Sequence, residues 1–446
     1  MWSVLIPFLL LFAITLLPLP RIGGDVRLAL LAAGVSAALL QGLAPSDWPM
    51  AIIDGIDRLS WVIWLSLFGS LYAETQLRIG AMRTTLDLLG ALFGRSPAGL
   101  VCAVIVTLVL GGSLLGDAIA ASAVVGFLVV RSLAELGISG ERIAAIILLG
   151  ALVGSGMPPI SQSFIMAAAF TGIAPETVMN PWGYVTMLVT LAVALANGVW
   201  LVRGRRMPAG LATLPPAMTT LRRGAPSLLP LGVLLVMVTL LSGGWLSFSA
   251  LPGYAALSAT PVLKGIAFSV VLAIIVATLF TLPYRQVRSD LPSVCTNALR
   301  KVAKTVQIQL CAGAMIGLFH HAGLLGSIRD FATQLDVGTM KLGGGLAVVL
   351  VGMVTGSQTT AQTAIVGVMA PTMVDLGLDP VAVAIGAAHL AMAGQAMPPV
   401  GLTTFVVAGL IGGILNVRVD PLRAMLLSVP LSLCFLAFGA LYWYMA

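Results

Sequence analysis

Apolar windows recur from one end of the chain to the other, each about 18 residues or longer, the length a helix needs to cross a bilayer. Uninterrupted windows at 3–20, 26–44, 97–116, 178–202, 227–247, 262–284 and 422–445 predict spanning helices. Four other stretches, 61–92, 112–170, 306–335 and 343–415, are as apolar but rich in Gly, Ser, Thr and Pro. Residues 45–60 and 207–226 read as mixed, proline-containing connectors. The pattern predicts an all-α polytopic membrane protein with two kinds of segment, continuous and interrupted.

The interrupted segments repeat. Residues 154–164 read GSGMPPISQSF and residues 394–405 read GQAMPPVGLTTF, so Pro158-Pro159 and Pro398-Pro399 stand 240 residues apart. At that offset LGIS (136–139) falls on LGLD (376–379), Glu135 on Asp375 and Ser163 on Thr403. With one residue of slippage AASAVVG (120–126) matches AQTAIVG (361–367), and further upstream Gly112-Ser113 pairs with Gly356-Ser357. A third proline pair, Pro215-Pro216, lies in a polar connector, so a pair alone carries little. Ordered matches around it predict a duplication. Duplicated broken hydrophobic segments point to a secondary transporter with its site at the repeat interface. The relative orientation of the two copies stays open.

Irregular backbone at membrane depth must be buried in protein or line a watery cavity. Each Met-Pro-Pro sits midway in an apolar run long enough for two half-helices, which predicts a re-entrant hairpin tipped by the proline pair. Two proline kinks in ordinary spanning helices are the alternative. Proline suits the first turn of the returning arm, where its missing N–H costs nothing. The residues that follow, Ser161, Gln162 and Ser163 or Leu402, Thr403 and Thr404, present amides and hydroxyls to an anion such as a carboxylate. The preceding arms end at Gly154-Ser155-Gly156 and Gly394-Gln395-Ala396, whose carbonyls suit Na⁺. The partner segments GGSLLGDAIAAS (111–122) and TGSQTTAQT (355–363) put small and polar residues in mid-helix. Close packing accounts for small residues. The density of Ser357, Gln358, Thr359, Thr360, Gln362 and Thr363 exceeds what packing needs and predicts the lining of an ion or substrate path.

Composition narrows the class. Of 446 residues 59% are hydrophobic and 9% charged, and mean hydropathy is +1.07, too few charges to wet a soluble surface of this size. The opening MWSVLIPFLLLFAITLLPLP lacks a basic n-region and a cleavage site, and reads as a first membrane helix rather than a signal peptide. The net charge of +7 gathers in short loops, at Arg203, Arg205, Arg206, Arg222 and Arg223, then at Arg285, Arg288, Arg300, Lys301 and Lys304. The intervening loop 249–262 has only Lys264 at its far edge, so the positive-inside rule puts both clusters in the cytoplasm and 249–262 outside. That distribution gives no argument for nucleic acid. Cys102, Cys295, Cys311 and Cys434 show neither disulfide nor metal spacing. His320-His321 and His389 lack companions at ligand spacing, and His389 reads as a packing or cavity histidine. Asp117 is a carboxylate in an apolar region: a cation ligand, a proton relay or a boundary residue. Glu74 and Arg78, four apart, predict an interfacial ion pair. No nucleophile elbow, phosphate loop or metal motif is present, so neither an enzyme nor a cofactor is expected.

GRSPAGLVCAVIVTLVLGGSLLGDAIAASAVVG, GMPPISQSF and APTMVDLGLDPVAVAIGAAHLAMAGQAMPPVGLTTFVVAGLIGG together resemble the large membrane subunit of TRAP transporters (DctM-like) and, more broadly, the ion transporter superfamily. The resemblance covers about residues 60–420, and PPVGLTTFVVAGL (398–410) is its most specific piece. It implies an elevator-type secondary carrier that imports a small organic anion, a carboxylate, coupled to Na⁺. It also implies an extracytoplasmic substrate-binding protein, a small four-helix membrane subunit and a place in a bacterial or archaeal cytoplasmic membrane. A carrier of the same superfamily that works alone with Na⁺ or H⁺ is the alternative, and a channel or scaffold the other class. Carried over by position, the cation-side residues are Gly112, Ser113, Gly154, Ser155, Gly156 and Pro158, then Gly356, Ser357, Thr359, Gly394, Gln395 and Pro398, with Asp117 beside them. Substrate contacts are Ser122, Ser161, Gln162, Ser163, Thr363, Thr403 and Thr404. The implied organisation is N-terminal scaffold helices (1–60), a first repeat with interfacial helix, broken helix and hairpin (61–177), scaffold helices and connectors (178–305), a second repeat with broken helix and hairpin (306–420) and a C-terminal helix (421–446). The chain departs from the family at Ser113-Leu114-Leu115-Gly116-Asp117, usually richer in Ser and Ala, and at Met157 and Met397, where a small or hydroxyl residue is usual. Asp117 keeps H⁺ coupling open.

Overall fold

A computed structural model of the chain describes residues 2–16, 25–93, 96–116, 118–207, 217–242, 245–249, 251–324 and 337–446, and every regular element among them is helical. The N-terminal part comprises α1 (Trp2–Leu16), α2 (Val26–Leu40), α3 (Trp48–Arg58), α4 (Ser60–Arg78) and α5 (Ala81–Phe93). Then come α6 (Pro97–Leu115), α7 (Ala118–Glu135), α8 (Gly140–Gly156), α9 (Gln162–Thr171), α10 (Pro175–Leu201, with a kink at the non-helical Asn180), α11 (Ala217–Ser242), α12 (Ser269–Leu279) and α13 (Leu291–His321). The last part holds α14 (Val337–Thr355), α15 (Gln358–Ala361, a π turn Gln362–Val366, then Gly367–Asp375), α16 (Pro380–Ala396), α17 (Leu402–Leu415), α18 (Pro421–Leu427) and α19 (Val429–Met445).

By length and composition α10 is the one described helix able to cross a membrane by itself. Two bent pairs pass the same test jointly: α13, bent by 49° between Ala303 and Val306, and α18 with α19, bent by 59°. Most other apolar helices have 10–17 residues, so several expected spans are pieces of broken paths. The C-terminal span expected at 422–445 bends because Pro430 stands in the first turn of α19 and offers no N–H to carry the ladder through Ser428. The connector expected at 207–226 is helical from Ala217 onward, and α12 is shorter than the span expected at 262–284.

The connector expected at 45–60 is largely α3. Its Ala51 and Gly55, four apart, form a flat strip that meets Gly313 and Gly317 of α13 backbone to backbone. A Cβ on Gly317 would sit 1.9 Å from the Ala51 carbonyl oxygen. The polar residues that gave it a connector's composition are paired elsewhere, Asp54 with His321 at 2.8 Å and Asp57 with Lys264 at 2.5 Å.

A polar seam joins α13 to α4. Gln309 Nε2 donates to Ser66 Oγ at 2.9 Å, and Ser70 Oγ donates to the Ala298 carbonyl at 2.8 Å. The expected Glu74–Arg78 pair is present at 3.4 Å, but Glu74 is shared with Lys301 of α13 at 2.6 Å and Arg78 also reaches Asp290 at 3.2 Å. At the start of α2 the Asp25 carboxylate accepts from Arg27 N at 3.0 Å, and the Arg27 guanidinium hydrogen-bonded to it holds the acid below its ordinary pKa. The C-terminal α19 packs on α16, with Gly386 against the Trp443 backbone and Gly439 against Leu390. The Trp443 indole donates to the Lys341 carbonyl at 2.8 Å, tying the start of α14 to the same unit.

Candidate functional site

Two helices stop in mid-path, and for the same local reason. Gly116 after α6 and Gly356 after α14 both have φ +64°, a left-handed conformation that glycine adopts without steric cost. Each donates its N–H to the carbonyl four residues back, Gly112 or Gly352, at 2.8 Å, the αL cap that closes a helix. These glycines are 240 residues apart, as are the proline pairs. Gly356 therefore corresponds to Gly116, and its pairing with Gly112 in the sequence comparison is one turn out. Gly112 and Gly116 are themselves four apart, so glycine identity alone could not choose between them. The stretch 361–367, where the match to 120–126 slips by one residue, contains the π turn Gln362–Val366.

The helix also stops at both proline pairs. α8 ends at Gly156 and α9 begins at Gln162; α16 ends at Ala396 and α17 begins at Leu402. Both pairs are cis. Helical hydrogen bonding ceases there, unlike in a helix that is merely kinked.

Each helix break faces a proline break. A Cβ on Gly112 would lie 2.8 Å from Gly154 Cα, and one on Gly352 would lie 2.8 Å from Gly394 Cα, so α6 crosses α8 and α14 crosses α16 at backbone contact. One turn on, Gly116 faces the Ile160 carbonyl and Gln162, while Gly356 faces the Val400 carbonyl and the Leu402 amide. Side chains close the gap differently. Ser113 Oγ donates to the Met157 carbonyl at 3.0 Å, whereas the Gln395 side-chain oxygen accepts from the Gln358 amide at 2.9 Å.

Of the cation-side residues, Gly112, Ser113, Gly154, Ser155, Gly156 and Pro158 are buried, as are Gly356, Gly394 and Gln395. Ser357, Thr359 and Pro398 are half-buried. Gly112, Gly154 and Gly394 make the helix crossings. Ser155 Oγ turns back to the Leu152 carbonyl at 2.9 Å, and Ser357 caps α15 by accepting from Thr360 N at 3.2 Å. Asp117 lies outside the described residues. A cation-ready oxygen that the candidate set missed is Gln358 Oε1, buried and with no donor.

Of the substrate-side residues, Ser122 and Thr363 bond back to their own helices, at the Ile119 and Thr359 carbonyls, each at 2.9 Å. Ser161 accepts from Phe164 N at 3.3 Å and so caps α9 itself. Gly401, in the same place before α17, offers no side-chain cap. Gln162, Thr403 and Thr404 are buried beside these helix starts. Ser163 does more: Gln362 Nε2 donates to its Oγ at 2.7 Å, and that Oγ donates to the Ala388 carbonyl at 3.1 Å. One hydroxyl thus joins α9, α15 and α16. The next residue along, His389, is fully buried among Phe164, Phe435 and Phe438. Its Nδ1 lies 3.0 Å from the Ile385 carbonyl, which can only accept, so Nδ1 carries the proton. It packs, as expected. Gln358 and Gln362 stood in the polar run of the sequence, two amides one turn apart; the Ala388 carbonyl had no signal at all.

Breaks set against breaks in an apolar chain, helical throughout its described regular elements, are the pattern of a membrane transport protein. The chain matches the family described as "Tripartite ATP-independent periplasmic transporter, DctM component" over residues 8–445, and it belongs to that family. It is the large component of a TRAP-type secondary transporter, a transporter family and not an enzyme class. Its fold is similar to the crystal structure of the Alcanivorax borkumensis YdaH transporter, reported with an unusual topology, at TM-score 0.56 and 16% identity over 90% of this chain and 89% of that one. At that identity the likeness is one of fold. No curated protein matches the sequence.

Proposed function

We propose that this component imports a small organic anion, a carboxylate, together with Na⁺, by elevator movement in the cytoplasmic membrane of a bacterium or archaeon. It would act with a small four-helix membrane subunit and an extracytoplasmic substrate-binding protein. The observation that carries the reading is the matched pair of breaks, Gly116 against 160–162 and Gly356 against 400–402. At each, a helix C-terminus with its negative dipole end stands beside a helix N-terminus with its positive end. The ends of α8 and α16 would take the cation, with Ser113 on one side and Gln358, Gln395 and Thr359 on the other. The starts of α9 and α17 would take the carboxylate, with Thr403 and Thr404 nearest and Ser163 fixing the distance between the halves. α17 is the better anion end, because Gly401 leaves its first amides uncapped where Ser161 occupies one in α9. Filling both sites would draw the breaks together and let the unit α6–α9 with α14–α17 move against α3–α5 and α13.

The substrate class is tested by uptake into proteoliposomes holding the chain with its two partners. Labelled carboxylates should accumulate while their neutral amide analogues do not. Equal uptake of acid and amide would remove the carboxylate from the reading.

A further inference from the structure

At the end of α6 remote from Gly116, a cavity of about 440 Å³ opens between the first turn of α6 and the last turn of α10. That size falls within the ~300–1,000 Å³ of small-molecule sites. Its wall is apolar, formed by Ala98, Ala196, Val199 and Trp200, and its rim carries Arg203 and Arg205. Trp200 is 58% exposed. It continues an outward apolar face of α10 that includes Val185, Leu188 and Val189, on the helix long enough to cross the membrane, so this apolar face is exposed at membrane depth. A tryptophan at a helix end beside arginines marks the level of the headgroups.

Neither guanidinium has a hydrogen-bond or ion-pair partner among the described residues, although Arg205 Nη1 comes within 3.7 Å of where a Gly137 side chain would begin. The cavity is lined by the start of α6 and the end of α10, and the Arg205 guanidinium reaches from it toward the turn between α7 and α8. The start of α6 does not supply the charge preference, because Ser96 already accepts from Gly99 N at 3.0 Å. The two free arginines do.

We propose that this cavity binds an anionic phospholipid, with the phosphate on Arg203 and Arg205 and the acyl chains along Trp200 and the outer face of α10. Free phosphate would satisfy the arginines but not the apolar wall.

The test is native mass spectrometry of the full chain in detergent with phosphatidylglycerol, phosphatidylcholine or inorganic phosphate added. Two arginines near a phosphate should give about a thirtyfold preference for phosphatidylglycerol over phosphatidylcholine. R203Q/R205Q should bring that ratio close to parity, R203K/R205K should keep most of it, and R222Q/R223Q, outside the cavity lining, should leave it unchanged. W200A should weaken retention of phosphatidylglycerol with the charge intact. The proposal fails if wild type shows no headgroup preference, if R222Q/R223Q lowers it as much as R203Q/R205Q, or if inorganic phosphate displaces phosphatidylglycerol completely.

Discussion

Ser163 ties α9 to α15 and α16 through one hydroxyl, and its removal is informative. Ser163→Ala would leave Gln362 Nε2 buried without an acceptor and the Ala388 carbonyl without that donor. An orphaned buried donor costs about 1–3 kcal/mol, so thermal unfolding should move down visibly. An unchanged transition would mean that Gln362 finds another partner. The proline breaks invite a paired comparison. Gln395→Ala takes the side-chain acceptor from the Gln358 amide, while Ser155→Ala loses only a bond within its own helix. Half-maximal Na⁺ for uptake should rise about tenfold in the first, the equivalent of one hydrogen bond, and stay near wild type in the second. Equal values in both would take Gln395 out of the ion site. Ser163 stood out in the sequence because Thr403 mirrors it at the common offset. Its partners lie 199 and 225 residues away and obey no local spacing, so they were legible only in three dimensions.

At the scale of the element, composition located the breaks at Gly116, Gly356 and the two proline pairs. But Gly343-Gly344-Gly345 runs through α14 and Pro226 and Pro230 through α11 without a break, and the span expected as continuous at 422–445 is bent. Composition misread α3, because Asp54, Asp57 and Arg58 on one side outweighed the small residues on the other. That small-residue contact makes a sharp prediction. Gly317→Ala would force a methyl to within 1.9 Å of the Ala51 oxygen, both on backbone that cannot rotate away. Separating α3 from α13 should cost about 1–3 kcal/mol, read as a lower unfolding temperature. Gly343→Ala in α14 is the contrast, since nothing lies within 4 Å of the added methyl. There the helix propensity of alanine, about 1 kcal/mol better than glycine, should hold or raise stability. Loss of stability in both would show that the glycine contacts do not distinguish the two positions.

For the whole molecule, the offset of 240 residues relates the helix breaks, the backbone crossings and the proline pairs alike. The sequence resemblance over residues 60–420 reached the family that the match over 8–445 establishes. In α13 the chain bends by 49° between Ala303 and Val306 without ending its helix. What binds at the breaks depends on oxygen positions that neither the offset nor the family fixes. Ion coupling is therefore the decisive property, and it is measured by labelled carboxylate uptake in proteoliposomes holding this chain and its two partners. An inward Na⁺ gradient should drive accumulation that collapses with a Na⁺ ionophore, and an inward H⁺ gradient without Na⁺ should drive none. Accumulation that follows the H⁺ gradient, or that ignores both, would contradict Na⁺ coupling at the paired breaks.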